Sequence, residues 1–448
     1  MLSIGIDFGT SNSSVATFDG QAVRLLPLDR HARDPHVMRS LLYITRDGEI
    51  VAGQRALDLY TEQNTGREVR LERRYIGEVK MFYSDMTVVK DAFALVDVNE
   101  PGRLFQSLKR FLPVSSFKKT SVFGTEYRLE ELVATLAAAM VGAAEGALGE
   151  RIDTLVVGRP VRFSEDAAKD EAARARLEEA WRLVGVPRVR FLEEPVGAAY
   201  HYAAEAQLSP GANFLVFDFG GGTLDITVAR ATGREIEVLS TDGVPIGGDL
   251  LDSRIMETRL ARHFGRGAHY EDGLPVPGHV FSRLRSWQTI VELNRPDLLQ
   301  LIREARRSSD RRHELANLEA LVTRNDGLAL FRAIEEAKIA LSSAETAGVR
   351  LERDGVRLIQ EITRAEFEAA ISAQLRAARD CVLVAVERAG CAPDEIELVI
   401  TTGGSSLIPA FQAALQEALP RARLAATGTF TSVAAGLALA GARETNIQ

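Results

Sequence analysis

One stretch constrains this chain more than any other: Phe214 to Ala229, FLVFDFGGGTLDITVA. The strand formers Phe214, Leu215, Val216 and Phe217 run into Asp218, three glycines turn the chain, and an apolar strand resumes past Thr223 and Asp225. Gly220, Gly221 and Gly222 accept positive φ and carry no Cβ, so their N–H groups can close on an oxyanion. Asp218 ends the first strand and would face the same space. A carboxylate beside a phosphate is repulsive unless a cation lies between them, and a hard ion such as Mg²⁺, held largely through water, answers that need. A glycine-rich hairpin with no ligand has the same local pattern. The opening of the chain carries a second copy: IGIDFGTSNSSVA, Ile4 to Ala16, again runs an apolar strand into Asp-Phe-Gly, then hydroxyls at Thr10, Ser11, Ser13 and Ser14. Two such units far apart predict two related lobes whose turns grip one polyphosphate, with Asp7 and Asp218 flanking a shared metal.

At 448 residues the chain exceeds what one core fills. We divide it at the Ser209-Pro210-Gly211-Ala212 segment, a candidate hinge, into lobe I, residues 1–208 with a peripheral insertion at about 40–110, and lobe II, residues 209–448 with a helical insertion at about 250–330. The net charge of −8 argues against a footprint for nucleic acid or an anionic membrane. Cys381 and Cys391 are too few for a disulfide framework, which fits a reducing, cytoplasmic compartment. No signal peptide is expected ahead of Asp7, and the small-apolar run Leu132 to Ala144 falls short of the roughly 20 residues a membrane span needs.

In chain order, Gln21 to Leu28 reads as a strand, and Leu41–Ile44 with Glu49–Ala52 as a hairpin turning at Arg46-Asp47-Gly48. Gly53 to Leu59 starts a helix, residues 61 to 103 form a charged peripheral insertion, and Leu104 to Leu112 reads as a short amphipathic helix carrying Lys109. Leu129 to Gly149 is a core helix, Thr154 to Gly158 a buried strand, and Ser164 the expected cap of a helix with the stripe Ala173, Leu177, Trp181 and Val184. Val189 to Leu192 is a strand, Val196 to Glu205 a helix, Glu235 to Ser240 a strand, and Asp249 opens a helix after Gly247 and Gly248. Residues 265 to 330 are an inserted helical subdomain, in which the run Arg303 to Arg312 reads as a solvated helix face. Glu335 to Ser343 is helical. Thr363 and Glu366 form a capping box before a long helix ending near Gly390, and Ile396 to Ile400 is the last clear strand, before helices at Pro409–Leu419 and Val433–Ala442.

Together these motifs resemble the ATPase domain of the seventy-kilodalton heat-shock (DnaK-type) chaperones, within the actin, hexokinase and heat-shock superfamily. IGIDFGTSNSSV resembles the first phosphate motif, VFDFGGGTLDIT the second, LEEPVGAA the first connecting segment, GGDLLDSR the helix start after the second lobe's strands, and EEAKIALS and TTGGSSLIPAF the adenosine-contacting elements. The resemblance implies a two-lobed α/β fold with a duplicated core and inserted subdomains, and a site for ATP or ADP with Mg²⁺. Under it, Asp7 and Asp218 hold the metal through water; Gly9, Thr10, Ser11, Asn12, Gly220, Gly221, Gly222, Thr223, Gly247 and Gly248 cradle the phosphates. Lys109 orients the attacking water, Glu194 helps place the metal's hydration shell, Asp225 accepts a proton, and Arg159 with Pro160 relays the state of the site to the lobe surface. Glu335, Lys338 and Ser342 contact the adenosine, with Gly403, Gly404, Ser405 and Leu407 at the base or α phosphate. Leu407 and Ile339 stand where the family has basic residues, so the cation–π and charge contributions to adenine binding are lost.

The chain ends at Gln448 without the linker, β-sandwich and lid of full-length chaperones, and so resembles the short, YegD-like branch. Its output is expected to go to a protein partner or client. A P-loop is excluded because no GxxxxGK[ST] occurs, and no HExxH or cysteine–histidine cluster suggests zinc. The reading is an ATPase that switches between open and closed lobes. The alternatives are a non-catalytic ATP-sensing scaffold, a small-molecule kinase on the same fold and, more remotely, a filament former.

Overall fold

An apolar strand, a tight turn and a returning strand form a hairpin locally, and each copy of the Asp-Phe-Gly motif does so. In the computed structural model, which describes residues 2–83, 86–164, 166–205, 209–232, 235–426 and 431–445, Ser3–Asp7 pairs antiparallel with Asn12–Phe18, and Asn213–Phe219 with Leu224–Thr232. The registers match: Asp7 lies opposite Ser14 and Asp218 opposite Asp225, seven residues on in both.

Each hairpin seeds a sheet of the same order. The first runs Arg188–Glu193, Thr154–Arg159, Ser3–Asp7, Asn12–Phe18, Val23–Leu25, with Val37–Arg39 also paired to Asn12–Phe18. The second runs Arg423–Ala426, Ile396–Thr402, Asn213–Phe219, Leu224–Thr232, Glu235–Val244. In both, the first hairpin strand has parallel neighbours on its other side, which require helical crossovers. The crossovers supply the core. Leu129–Leu148 buries Leu132, Val133, Leu136 and Met140 with Ile4, Ile6 and Trp181, and Glu194–Glu205 buries Ala198, Ala199 and Tyr202 with Phe214, Val216 and Ile400.

The helix Ser432–Thr445 lies close on the first strand. A Cβ on Gly5 would fall on the Ala434 carbonyl, and one on Gly436 on the Gly197 carbonyl, so three backbones meet where only glycine leaves room.

The chain forms two compact units, and both sheets belong to the first: Met1–Leu59, Arg103–Leu251 and Ile371–Gln448. The second unit comprises Tyr60–Gly102 and Asp252–Ala370, one insertion from each half of the chain. Within it the insertions hold each other: Asn325 Nδ2 donates to Asn64 O at 2.9 Å, Gly66 N to Arg324 O at 2.7 Å, and Tyr60 packs on Trp287 with ring centroids 5.8 Å apart.

Several expectations need correction. Gln21–Leu28 yields strand only at Val23–Leu25. The unpatterned insertion contains a long hairpin, Leu71–Tyr83 with Met86–Asp97. Leu104–Leu112 is not a helix: Gly102–Gln106 is a strand, Ser107 turns it in the left-handed region (φ 57°), and a single 3₁₀ turn, Leu108–Phe111, carries Lys109. The helix Ala167–Val184 is capped by Asp166, whose carboxylate accepts from Ala168 N and Lys169 N, because Ser164 lies two residues too far out; Glu165 is outside the described residues. Thr363 and Glu366 do make their reciprocal cap, but the helix behind it breaks at Ile371 into Arg364–Ala370 and Ser372–Arg388. Ile396–Thr402 is not the last strand, since Arg423–Ala426 pairs beside it. Finally, Leu129–Leu148 is long and apolar enough to cross a membrane by length and composition, with nine of its side chains buried in the protein core.

Candidate phosphate-transfer site

The site lies in the first unit, where the two hairpin turns meet. A Cβ on Gly221 would fall on Ser11 Oγ, and one on Gly222 would lie 3.5 Å from Thr10 Cγ2 and 3.1 Å from Arg110 Cδ. The turns are held by their carbonyls. Gly248 N donates to Gly220 O (3.1 Å), Asp249 N to Gly221 O (2.9 Å), and Ser405 Oγ also reaches Gly220 O (3.1 Å). On the first turn Ser40 Oγ donates to Gly9 O (2.7 Å) and Ser40 N to Ser11 O (2.9 Å). With carbonyls so engaged, the N–H groups of Thr10, Ser11, Gly221 and Gly222 find no acceptor among the described residues, and Ser11 Oγ is buried without a partner there. Donors gathered in this way, with one buried hydroxyl among them, suit an anionic acceptor.

Glycine is required around these turns. A Cβ on Gly9 would strike the Asn12 carbonyl, one on Gly247 the Gly221 carbonyl, and Gly403 (φ 77°) sits against the Phe219 carbonyl. Gly403 leads into the 3₁₀ turn Gly404–Leu407, whose Leu407 side chain is 41% exposed.

Charge gathers beside the turns. Lys109 Nζ is ion-paired with Glu194 Oε1, and both side chains are largely buried. Glu194 opens the helix after strand Arg188–Glu193, and its side chain fits because residue 158 is glycine, whose Cβ would lie 3.0 Å from Glu194 Cγ. Burial and the charge of Glu194 push Asp7 up to about 7, with Lys109 opposing. Burial also raises Asp218 well above the usual range, reinforced by Glu194, Asp225 and Asp7. Asp225 is pushed up to about 6 by burial, although Thr223 Oγ1 donates to its Oδ2 at 2.7 Å and pulls the other way. Burial disfavours the Lys109 ammonium, but Glu194, Asp7 and Asp218 outweigh it and its pKa is raised.

Three carboxylates raised by burial and mutual repulsion around one ammonium form a site short of positive charge. A divalent cation between Asp7 and Asp218 fits that deficit. Among the described residues no three His, Cys, Asp or Glu side chains converge to ligate a metal, so water and phosphate would complete its shell.

The structure thus brings together Asp7, Gly9, Thr10, Ser11, Lys109, Glu194, Asp218, Gly220, Gly221, Gly222, Thr223, Asp225, Gly247, Gly248, Gly403, Gly404 and Ser405 in one unit. Asn12 begins the returning strand of the first hairpin. Glu335, Lys338 and Ser342 belong to the second unit, along helix Gly327–Leu341 and its cap, where Lys338 is ion-paired with Asp252 at 2.9 Å and Ile339 is 60% exposed. Arg159 bonds Glu193 Oε1 and Pro160 O. Sequence reasoning missed Ser40, Gly158 and Arg110; Arg110 lies 4.0 Å from Asp249 across the glycine turn, and its place next to Lys109 was the one available signal.

Two sheets of one topology, each ending its hairpin in a phosphate-sized turn, define the actin-like class of nucleotide-binding folds. The Hsp70 protein family matches residues 3–272 and 316–444. The heat shock 70 kDa protein BIP3 of Oryza sativa subsp. japonica is 28% identical over 92% of this chain and 52% of its own length. The chaperone protein DnaK of Stenotrophomonas maltophilia (strain R551-3) is 26% identical over 98% of this chain and 59% of its own. The chain belongs to the Hsp70 family, and it spans between half and three-fifths of the length of these relatives.

Proposed function

We propose that the chain binds ATP with Mg²⁺ and hydrolyses it, using the nucleotide to switch between open and closed arrangements of lobes 1–208 and 209–448. The observation that carries this reading is the Lys109–Glu194 pair set among the half-buried carboxylates Asp7, Asp218 and Asp225, beside two turns with unbonded N–H groups. Phosphoryl transfer needs positioning and charge neutralisation more than covalent chemistry. In this reading the turn amides and Ser11 hold phosphate oxygens, and Lys109, fixed by Glu194, orients the attacking water. Asp225 accepts its proton, aided by a pKa near the working pH. Mg²⁺, when bound beside Asp7 and Asp218, would neutralise charge on the transferring group. The assignment of Glu335, Lys338, Ser342, Gly403, Gly404, Ser405 and Leu407 to the nucleoside rests on the family resemblance. The output goes to a protein partner or client, and the chain works in the cytoplasm, as its scarce cysteines suggest.

Single-turnover hydrolysis of ATP with Mg²⁺ tests this. Wild type is expected to turn over slowly, and Lys109→Ala to bind ATP with at least a hundredfold loss of rate, on the order expected for a positioned proton-transfer partner. Equal, negligible rates in both would leave a non-catalytic ATP-sensing scaffold.

A further inference from the structure

The turn that carries Lys109 lacks a scaffold of its own. It is one 3₁₀ turn, Leu108–Phe111, entered through the left-handed Ser107 and left through an irregular loop, yet its lysine must stay in a buried ion pair. Leu108 and Leu112 pack into the core on either side of it, and the carbonyls that follow are held by a side chain from elsewhere. Arg176, on helix Ala167–Val184, lays its guanidinium inside the loop: Nη1 donates to Leu112 O (3.1 Å) and Val114 O (3.2 Å) and reaches Phe111 O (3.5 Å), and Nη2 donates to Phe117 O (2.6 Å). The remaining donor, Nε, bonds Glu130 Oε1 (2.6 Å), on the core helix Leu129–Leu148. Both side chains are largely buried, at 16% and 13% exposure.

The chemistry suits a clamp. A guanidinium stays charged, its five donors have fixed directions, and its bonds to carbonyls are charge-assisted. Four carbonyls spread over Phe111 to Phe117 are pinned to one plane, and Glu130 pins that plane to a helix in the middle of the core. Such a device fits a loop whose first residues include an ammonium that must be placed within a fraction of an ångström.

We propose that Arg176 is a positioning residue for phosphoryl transfer: through the carbonyls of residues 111–117 it holds the Leu108–Phe111 turn so that Lys109 stays seated on Glu194. The proposal rests on the ATPase reading above for its kinetic consequence, while its structural half stands apart from it.

The experiment compares the full chain with Arg176→Lys and Glu130→Gln. It reads thermal melting, affinity for a fluorescent ATP analogue, single-turnover hydrolysis, and acetylation of individual lysines by acetic anhydride followed by mass spectrometry. Lysine keeps a charge but cannot span four carbonyls. Arg176→Lys is therefore expected to stay folded, to bind nucleotide within about threefold of wild type and to hydrolyse roughly tenfold more slowly, part of the roughly hundredfold loss that a full ångström of misplacement brings. Lys109 acetylation should rise several-fold while exposed Lys169, on the same helix as Arg176, is unchanged. Glu130→Gln should show the same pattern more weakly. If Lys109 acetylation and the hydrolysis rate match wild type in a folded variant, the proposal fails. It fails equally if affinity, rate and melting temperature fall together, which would mark Arg176 as a general support of the fold. Should wild type not hydrolyse ATP, the functional reading falls, and the acetylation ratio alone decides the clamp.

Discussion

The two hairpins share register, turn length and the Asp-Phe-Gly opening, but their chemistry differs at each later position. Where the first turn has Thr10 and Ser11, the second has Gly221 and Gly222; opposite Asp7 stands Ser14, opposite Asp218 stands Asp225. The first turn offers hydroxyls and is braced by the side chain of Ser40, whereas the second offers bare backbone and is braced mainly by the start of helix Gly248–Ile255. The ionisable group falls only on the second: Ser14 is fully buried and its hydroxyl has no partner among the described residues, while Asp225 sits at a pKa of about 6. A duplicated frame has therefore kept its backbone geometry while its side chains diverged, with hydroxyls on the first turn and a titratable carboxylate behind the second.

The strongest test of that division is steric. Gly247→Ala places a methyl on the Gly221 carbonyl, backbone against backbone, and should cost roughly 3 kcal/mol or more and abolish nucleotide binding. Gly222→Ala meets the flexible Arg110 side chain at 3.1 Å and should melt within a few degrees of wild type. Similar losses from both would show that the second turn is not held by its neighbour's backbone.

A smaller effect follows from charge. Asp225 has a folded pKa raised above its ordinary value, so its contribution to stability is fully present below about pH 4 and is lost as pH rises through about 6. Asp225→Asn keeps an acceptor for Thr223 and removes that loss. Melted without ligand, it should exceed wild type by on the order of 3 kcal/mol at pH 8 and by much less at pH 4. A difference that does not vary with pH would refute the assignment of buried charge to this hairpin.

The smallest contrast concerns the two hydroxyl braces. Ser40→Ala strips Gly9 O and Ser13 Oγ of a buried partner and should cost about 1 kcal/mol or slightly more. Ser405→Ala leaves Gly220 O still bonded to Gly248 N and should cost about half as much. Chemical denaturation of the two variants side by side checks the order, and the reverse order would mean that the second turn, too, depends on side chains.

Much of this frame was legible because it is local. A run such as FLVFDFGGGTLDITVA states its strand, turn and strand in sixteen residues, and its echo at Ile4–Ala16 predicted a second copy. The Thr363–Glu366 cap was legible for the same reason. What escaped was non-local or weakly patterned. Arg423–Ala426 has no alternation of its own and becomes a strand by pairing with Ile396–Thr402. Leu104–Leu112 has helical spacing, but pairing of Gly102–Gln106 with Leu41–Thr45 overrides it. Ser40, Gly158 and Arg176 could not be found from sequence, because each acts through a neighbour tens of residues away.

The packing of Ser432–Thr445 on Ser3–Asp7 sets a timetable for the living cell. The strand Ser3–Asp7 is covered by a helix made roughly 400 residues after it, and at typical synthesis speeds the wait is on the order of half a minute. Through that interval Ile4 and Ile6 lack part of their final surroundings.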